Sequence, residues 1–406
     1  MKFLFICLKN EVWNEFRHKF NDIIEIKRLN NIKMKNSLIH LLLAIISLNL
    51  CLSSFQTSFF KQMNKEYIKK NLILSPISAY QILSLTSNGA RGKTLQEMLL
   101  SLSSTELNEL NQINLAILNA VKEFKSIEMA NAVMTAFTPE EKFTEVAYSY
   151  KSTVGPLGNV DQVNNWCSEK THGKITKILD KIEPNTMMIL LNAIYFKGIW
   201  TKQFNRKDTY KMNFYNFGII DNAVTVEMMH IREQFKYYEN EFAQAIEIPF
   251  KIDSASAIVL LPRNDININD FVADLEEKKI QEYIEGMKTY TVDLSLPKFE
   301  LEFSSQLKGA LQKLGMNEAF SPAKADLTGM RKEGQLYISK VIQKTYLKID
   351  ETGAEAAAVT AVVIKTRSIK LNNRRMLVNR PFLMILKSKD LPKNYDALFM
   401  AKIEKL

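Results

Sequence analysis

The chain has 406 residues and a formal net charge of +10. Residues 1–53 carry 8 basic and 4 acidic side chains, and without them the excess falls to about +6, which is too mild for a dedicated nucleic-acid surface. The roughly 350 residues that remain can bury a substantial core. No internal repeat or low-complexity linker divides them, so the sequence predicts a single domain.

The first 54 residues have the composition of a leader. Residues 1–33 are basic and mixed, and we interpret them as an upstream extension whose translation the sequence leaves open. From Met34 the sequence has a short charged segment, then an apolar run, and then small residues, an order typical of a secretory signal peptide over 34–54. The run is short for a transmembrane helix, the alternative interpretation. We therefore expect a secreted, extracellular protein whose domain spans residues 55–406, with no membrane partner.

Cys167 is the one cysteine left after removal of this leader. A secreted domain with one cysteine has no internal disulfide, so packing must supply its stability. Because Cys167 lies in a helical pattern, we expect a buried structural thiol and not a reactive one.

The domain begins with a predicted helix over 54–70, where apolar residues recur at four-residue steps. A basic stripe, Lys61, Lys65 and Lys69, follows the same spacing, and we interpret it either as a solvated face or as a contact for a polyanion. A second helix is predicted to begin at Ser75 and Pro76, because serine suits the cap and proline the first turn. Further along the chain, apolar runs predict buried strands over 129–135, 188–200 and 257–262, the region 210–262 is mainly antiparallel, and helices are predicted over 105–124 and 271–287.

The segment from Glu351 to Ser368 changes from acidic to small to β-branched residues. Since side chains of an extended segment alternate between faces, one face carries no charge. Gly353 precedes this face and supplies a backbone hinge. These features predict a segment that can slide between two strands of a packed sheet, although a surface loop and an edge strand would also fit the composition. The uncharged face comprises Ala354, Ala356, Ala358, Thr360, Val362 and Ile364.

No catalytic motif is found, neither a nucleophile elbow nor a zinc-binding helix nor a phosphate loop. Outside the leader the histidines are His172 and His230, and neither belongs to a recognisable nucleophile motif. We therefore predict that the protein is not an enzyme and needs neither a metal nor another cofactor.

Six short motifs along the chain together resemble the serpin family of metastable serine-protease inhibitors. The resemblance runs from about Phe55 to the C-terminus, with the motifs in the family's order and spacing. It implies an α+β fold: one domain with a large central mixed β-sheet, additional antiparallel sheets, about eight or nine helices and an exposed reactive-centre loop at about 351–375. The motifs are Asn71–Ser78, Asn192–Trp200, Leu296–Phe299, Leu314–Met316, Asp326–Gly329 and Asn379–Phe382.

The resemblance also assigns roles to residues. A polar cluster, called the shutter, lies where the central sheet opens, and Gln343 stands in it where the family often has histidine, so the cluster keeps a donor and an acceptor but loses a titratable group. Trp200 marks the upper end of the sheet, called the breach. The implied shutter is Ser75, Ser78, Asn192 and Gln343, and the implied hinge is Glu351, Gly353, Ala354, Ala356, Ala357, Ala358 and Thr360.

Counting from Glu351 as in the family places the bait bond at Arg367-Ser368, with antithrombin-like spacing of the loop. A shorter spacing would give Lys370 instead, and either residue is basic. An arginine suits the acidic pocket of trypsin-like enzymes. The resemblance thus implies a monomeric inhibitor that captures such a protease covalently as its loop inserts into the sheet, with a non-inhibitory carrier as the alternative. Because some serpins bind heparin through their first and fourth helices, the stripe at Lys61, Lys65 and Lys69 is a candidate glycosaminoglycan contact, although the predicted helix over 105–124 is too acidic for a strong footprint.

Overall fold

The computed structural model describes residues 54–353 and 373–406. Its helices agree with the composition of the segments that form them, since each pairs an apolar face with a polar one or starts at a capping residue. In the described residues the α-helices are α1 (Phe55–Asn64), α2 (Pro76–Ser87), α3 (Gly92–Ser101), α4 (Leu107–Lys122), α5 (Glu141–Ser149), α6 (Val160–Lys170), α7 (Ile268–Ala273), α8 (Glu277–Gly286) and α9 (Lys308–Lys313).

Fourteen strands in the described residues form two sheets. They are β1 (Leu72–Leu74), β2 (Ile127–Thr135), β3 (Thr153–Pro156), β4 (Met188–Phe196), β5 (Tyr210–Tyr215), β6 (Ala223–Glu239), β7 (Ala243–Pro249), β8 (Ala255–Pro262), β9 (Lys288–Pro297), β10 (Phe299–Gln306), β11 (Lys340–Ile349), β12 (Asn373–Leu377), β13 (Phe382–Ser388) and β14 (Ala397–Ile403).

The functional geometry lies in the five-stranded mixed sheet, whose order is β10-β11-β4-β2-β3. Its two central strands, β4 and β11, are parallel neighbours in direct register from Lys340 opposite Ile189 to Leu347 opposite Phe196. Both flanking pairs, β10 with β11 and β2 with β4, are antiparallel. The two central strands are therefore paired directly with each other, and we call this arrangement the closed sheet. The segment 354–372 follows shortly after the end of β11 in the sequence.

The second sheet has nine strands in the order β1-β14-β13-β8-β7-β6-β9-β12, with β5 paired to β6. All its pairs are antiparallel except β12 with β9. The predicted antiparallel region at 210–262 is thus confirmed as β5 to β8. Because β12 is the strand that follows segment 354–372, that segment joins the two sheets.

The core explains why β4 is apolar at every position except Asn192. Its even-numbered apolar residues belong to the main core, which includes α1, α2 and the nine-stranded sheet. Its odd-numbered residues pack in a second cluster with Val163 and Cys167 of α6. Every residue of β4 is buried, so this strand has no solvent face.

Three predicted elements end differently from the sequence pattern. The first helix stops at Asn64 and not at Lys70. The predicted helix over 271–287 is two helices, α7 and α8, which are separated at residues 274–276. The strand predicted over 188–200 ends at Phe196, and Ile199 and Trp200 form isolated bridges beyond it.

Candidate functional site

The lower part of the candidate site is a hydrogen-bonded cluster beneath the β4–β11 pair. Ser75 caps α2, because its hydroxyl accepts the amide of Ser78 at 3.4 Å and Pro76 fills the first helical position. The Ser75 amide donates to Oε1 of Gln343 at 2.9 Å, and Nε2 of Gln343 donates back to the Ser75 carbonyl at 2.9 Å. Gln343 of β11 is fully buried and so pins the start of α2 to the sheet.

The same glutamine also links the two central strands, β11 and β4, through a side-chain hydrogen bond. Its Nε2 donates to Oδ1 of Asn192 at 2.7 Å, and these two residues are register partners. Asn192 donates in turn to the Ser78 hydroxyl and to Oδ1 of Asn131. The four predicted shutter residues are therefore in one network, which joins α2, β4 and β11.

Two members of this network were not predicted from the sequence. Asn131 on β2 lies opposite Asn192, and its Nδ2 donates to Oε1 of Gln81 on α2 at 3.5 Å. The available signal was an asparagine in the middle of the apolar run of β2, since a buried amide needs partners. Gln81 lies one helical turn after Ser78, so helical spacing would have placed it beside the cluster.

The upper part of the site surrounds Trp200, which is completely buried. Its ring stacks on Phe250 with centroids 4.2 Å apart, and its Nε1 donates to the Asp350 carbonyl at 3.0 Å. The Trp200 amide also donates to the Thr352 carbonyl at 2.9 Å. Trp200 therefore fixes the backbone that leaves β11, and its role as a breach residue stays a prediction.

Glu351, just after β11, is held near Trp200 by polar contacts of its side chain. Its side chain is only 5% exposed and accepts the Thr209 hydroxyl at 3.0 Å, while Lys298 approaches it at 3.4 Å. Burial opposes the charged form of Lys298, but Glu227 and Glu351 outweigh this effect and raise the pKa of Lys298. This ion pair fastens the first hinge residue to the loop after β9.

Gly353 ends the described part of the hinge, and only glycine fits there. Its φ is +140°, and it forms an antiparallel bridge with Ile199. A Cβ atom at this position would lie 2.0 Å from the Gly198 carbonyl oxygen. The remaining predicted hinge residues, Ala354, Ala356, Ala357, Ala358 and Thr360, and the predicted bait residues Arg367 and Ser368 lie outside the described residues.

The basic stripe does not follow one helix face, because α1 ends before two of its members. Lys61 lies on α1 and is half-buried, while Lys65 and Lys69 are exposed and follow the helix. Lys69 has a positive φ of 58°, which changes the direction of its side chain relative to helical spacing. Polyanion binding at this stripe stays a prediction.

Two further predictions concern chemistry. Cys167 is fully buried on α6, and burial raises the pKa of its thiol to about 12, as expected for a structural cysteine. His230 approaches Asp293 at 3.5 Å and the Ser295 hydroxyl at 3.3 Å, but both contacts involve Nδ1. A serine–histidine–aspartate relay needs one partner on each ring nitrogen, so this arrangement is not one.

Within residues 54–353 and 373–406, no three histidine, cysteine, aspartate or glutamate side chains are grouped as metal ligands would be. None of the helices in that part of the chain has the length and apolarity that crossing a bilayer requires.

Comparison with known proteins agrees with this geometry. A family model described as serpin (serine protease inhibitor) matches residues 51–405. Intracellular coagulation inhibitor 2 of Tachypleus tridentatus is 34% identical over 79% of this chain and 83% of its own length. Antithrombin-III of Homo sapiens is 29% identical over 86% of this chain and 80% of its own. The crystal structure of tengpin, a thermophilic serpin in the native state, matches with a TM-score of 0.79 at 28% identity and covers 92% of this chain and 96% of its own.

A five-stranded sheet with directly paired central strands, a polar cluster beneath its centre and a glycine of positive φ shortly after β11 are consistent with a protein of the serpin type. The family match spans most of the sequence, and the chain belongs to the serpin family. This membership supports protease inhibition as the general activity, and serpins are in general inhibitors and not catalysts.

Proposed function

We propose that the protein is a secreted inhibitor of trypsin-like serine proteases that works by insertion of the segment after Gly353 between β4 and β11. The observation that carries the proposal is the antiparallel bridge between Gly353 and Ile199. This bridge is the first rung of a ladder that a returning strand would continue along β4.

The bridge fixes the register of such a strand. Continued in steps of one residue, the pairing would place Ala356 opposite Phe196, Ala358 opposite Ile194 and Thr360 opposite Asn192. Directly opposed residues of an antiparallel pair share a face. The even-numbered residues of β4 face the main core, so the uncharged face of the segment would be buried there. The small side chains on that face suit a space that has to open between packed strands.

Insertion would also make the strand pairing of the sheet more stable. A segment that turns back at the end of β11 would run antiparallel to both β11 and β4, which are now parallel to each other. One parallel pair would be replaced by two antiparallel pairs, which are slightly more stable per residue. The added hydrogen bonds and buried alanines provide the driving force for the conversion.

The chemistry would begin on the protease. Its serine Oγ attacks the carbonyl carbon of Arg367, an ester bond forms, and the peptide bond to Ser368 breaks with release of the amine of Ser368. Insertion then removes the ester from the geometry that water needs for its hydrolysis. Arg367 matches the acidic specificity pocket of trypsin-like enzymes by charge-assisted hydrogen bonds, and the leader composition at 34–54 supports secretion.

The test is a denaturing gel of the purified chain after mixing with a trypsin-like protease. We expect a covalent, heat-resistant complex that disappears in Arg367→Ala. A matched pair of hinge variants tests the register: Ala358→Glu places a charge on the face toward the core, and Ala357→Glu places it on the opposite face. We expect Ala358→Glu to be cleaved without complex formation, while Ala357→Glu keeps inhibitory capacity.

If both glutamate variants inhibit equally well, the proposed register is wrong. Cleavage of the wild-type loop without any complex would instead support the non-inhibitory carrier. Heating the cleaved protein separates these cases further, because only an inserted loop raises the melting temperature by a large amount.

A further inference from the structure

A cleft of about 740 Å³ lies away from the shutter, between three segments of the chain. Residues 215–220 run on from the last residue of β5, residues 262–268 connect the end of β8 to the start of α7, and residues 377–381 connect β12 to β13. The Tyr215 amide donates to the Asn379 carbonyl at 2.8 Å, so two of these walls are already fastened to each other. The volume falls in the range of about 300–1,000 Å³ that small-molecule sites occupy.

Arg380 is the cation that distinguishes this cleft. Its Nε and Nη2 both donate to the Pro262 carbonyl, at 3.2 and 2.9 Å, which fixes the guanidinium plane. No carboxylate of the described residues forms an ion pair with it, whereas its neighbour Arg263 pairs with Glu239 at 3.0 Å. Burial, and then the positive charge of Arg263, lower the pKa of Arg380.

One part of the cleft lining is apolar, beside a polar part that includes Asn264, Asn267 and Asn379. Phe217, Ile266 and Leu377 line it and are half-buried, while Ile220 on its rim is 77% exposed. An exposed isoleucine beside half-buried apolar walls leaves hydrophobic area for a ligand to cover. Asp265, also on the rim, is exposed and would repel a second negative group.

We propose that this cleft binds a small organic monocarboxylate with an apolar tail, of the fatty-acid type. The guanidinium of Arg380 is a planar fork that matches a carboxylate, and its Nη1 has no acceptor among the described residues. The apolar walls would take the tail. One arginine without a carboxylate partner and a nearby aspartate favour a single negative charge over a polyanion such as heparin.

Binding would have a structural consequence because the cleft includes the connection after β12. A ligand that contacts residues 377–381 and the opposing 215–220 segment would tie the edge strand of the nine-stranded sheet to its surroundings. Since a ligand that binds only the folded form stabilises it, the melting temperature should rise with ligand concentration.

The experiment is isothermal titration of the full chain with decanoate, alongside decanol as the neutral analogue of the same length. We expect one decanoate per chain with a Kd below about 1 mM, and no measurable binding of decanol. Arg380→Gln should weaken decanoate binding at least about tenfold, because a charge-assisted hydrogen bond is lost.

A second pair of variants guards against a folding defect in Arg380→Gln. Ile220→Asp adds a negative charge at the exposed rim and should also weaken binding about tenfold or more, while Ile219→Asp is its control, because Ile219 is 47% exposed and does not line the cleft. The proposal is overturned if decanoate does not bind, if decanol binds equally well, or if Ile220→Asp binds as the wild type does.

Discussion

Replacing Gln343 by leucine tests whether the polar cluster holds the central sheet closed. Leucine has a similar size, but three hydrogen bonds are lost: two with the Ser75 backbone and one, at 2.7 Å, with Asn192. The Ser75 carbonyl keeps a partner, because it also accepts the Ala79 amide at 3.1 Å. The Ser75 amide and Oδ1 of Asn192 are left unpaired at a cost of about 2 kcal/mol each, and the buried leucine returns about 2 kcal/mol. We expect a net loss of about 2 kcal/mol, measured as a lower midpoint of the first urea transition by circular dichroism.

The control is the same substitution at Gln234, which lies exposed on β6. A surface change of this kind should stay within about 0.5 kcal/mol of the wild type. If Gln343→Leu and Gln234→Leu have the same midpoint as the wild type, the cluster does not stabilise the closed sheet, and the shutter role of Gln343 is wrong.

Three further predictions concern the hinge, the acid limb of stability and the thiol. Gly353→Ala should destabilise the protein by about 2–4 kcal/mol in urea unfolding, because its Cβ would lie 2.0 Å from a backbone oxygen. The control is Gly173→Ala, where φ is also positive but no atom lies within 4 Å, and it should cost only about 1 kcal/mol. Equal costs of the two substitutions would exclude the steric explanation. Burial opposes the ionised form of Glu247, but Lys236 outweighs it and lowers the pKa of Glu247 below its ordinary 4.5. Ionised Glu247 therefore stabilises the folded protein above pH 4.5, and this contribution is lost as the pH falls through the folded-state pKa. Glu247→Gln should then make the free energy of unfolding fall less steeply with decreasing pH on the acid side. An unchanged slope would contradict this prediction. Cys167 should resist iodoacetamide at pH 8 in the native protein and react after unfolding, since its pKa is raised to about 12; modification of the folded chain at the rate of free cysteine would show that the thiol is accessible.

Much of the candidate site could be predicted from the sequence because its members belong to ordered motifs. Ser75 and Asn192 belong to two of those motifs, Gln343 was assigned by the family resemblance, and the three residues lie in one hydrogen-bonded network. The membership of Asn131 in the network was not predicted, because the sequence of one strand does not reveal which residue of another strand it will pair with. Register between distant strands is a tertiary property.

The end of the first helix shows a different limit. Four-residue spacing continues to Tyr67, yet the helix stops at Asn64. The carbonyl of Tyr67 accepts a hydrogen bond from Nζ of the buried Lys402 at 2.8 Å, and the side-chain Nδ2 of Asn64 donates to the Asn269 carbonyl at 3.3 Å. These partners lie more than 200 residues away in sequence, so local periodicity could not reveal them, and tertiary contacts override helix propensity here.

Under the proposed function the polar cluster and the Gly353 bridge would have opposite effects, because the cluster would resist opening of the sheet and the bridge would favour entry of the segment. The bond between Gln343 and Asn192 crosses the gap between β11 and β4, so it must break before any strand can enter there. The bridge between Gly353 and Ile199 defines the register in which the segment after Gly353 would enter. In the proposed register Thr360 would arrive opposite Asn192, and its hydroxyl could replace part of the amide pairing that is lost. The cost of opening would then be partly returned at the same point in the sheet, so the cluster would set the lifetime of the closed form without preventing insertion.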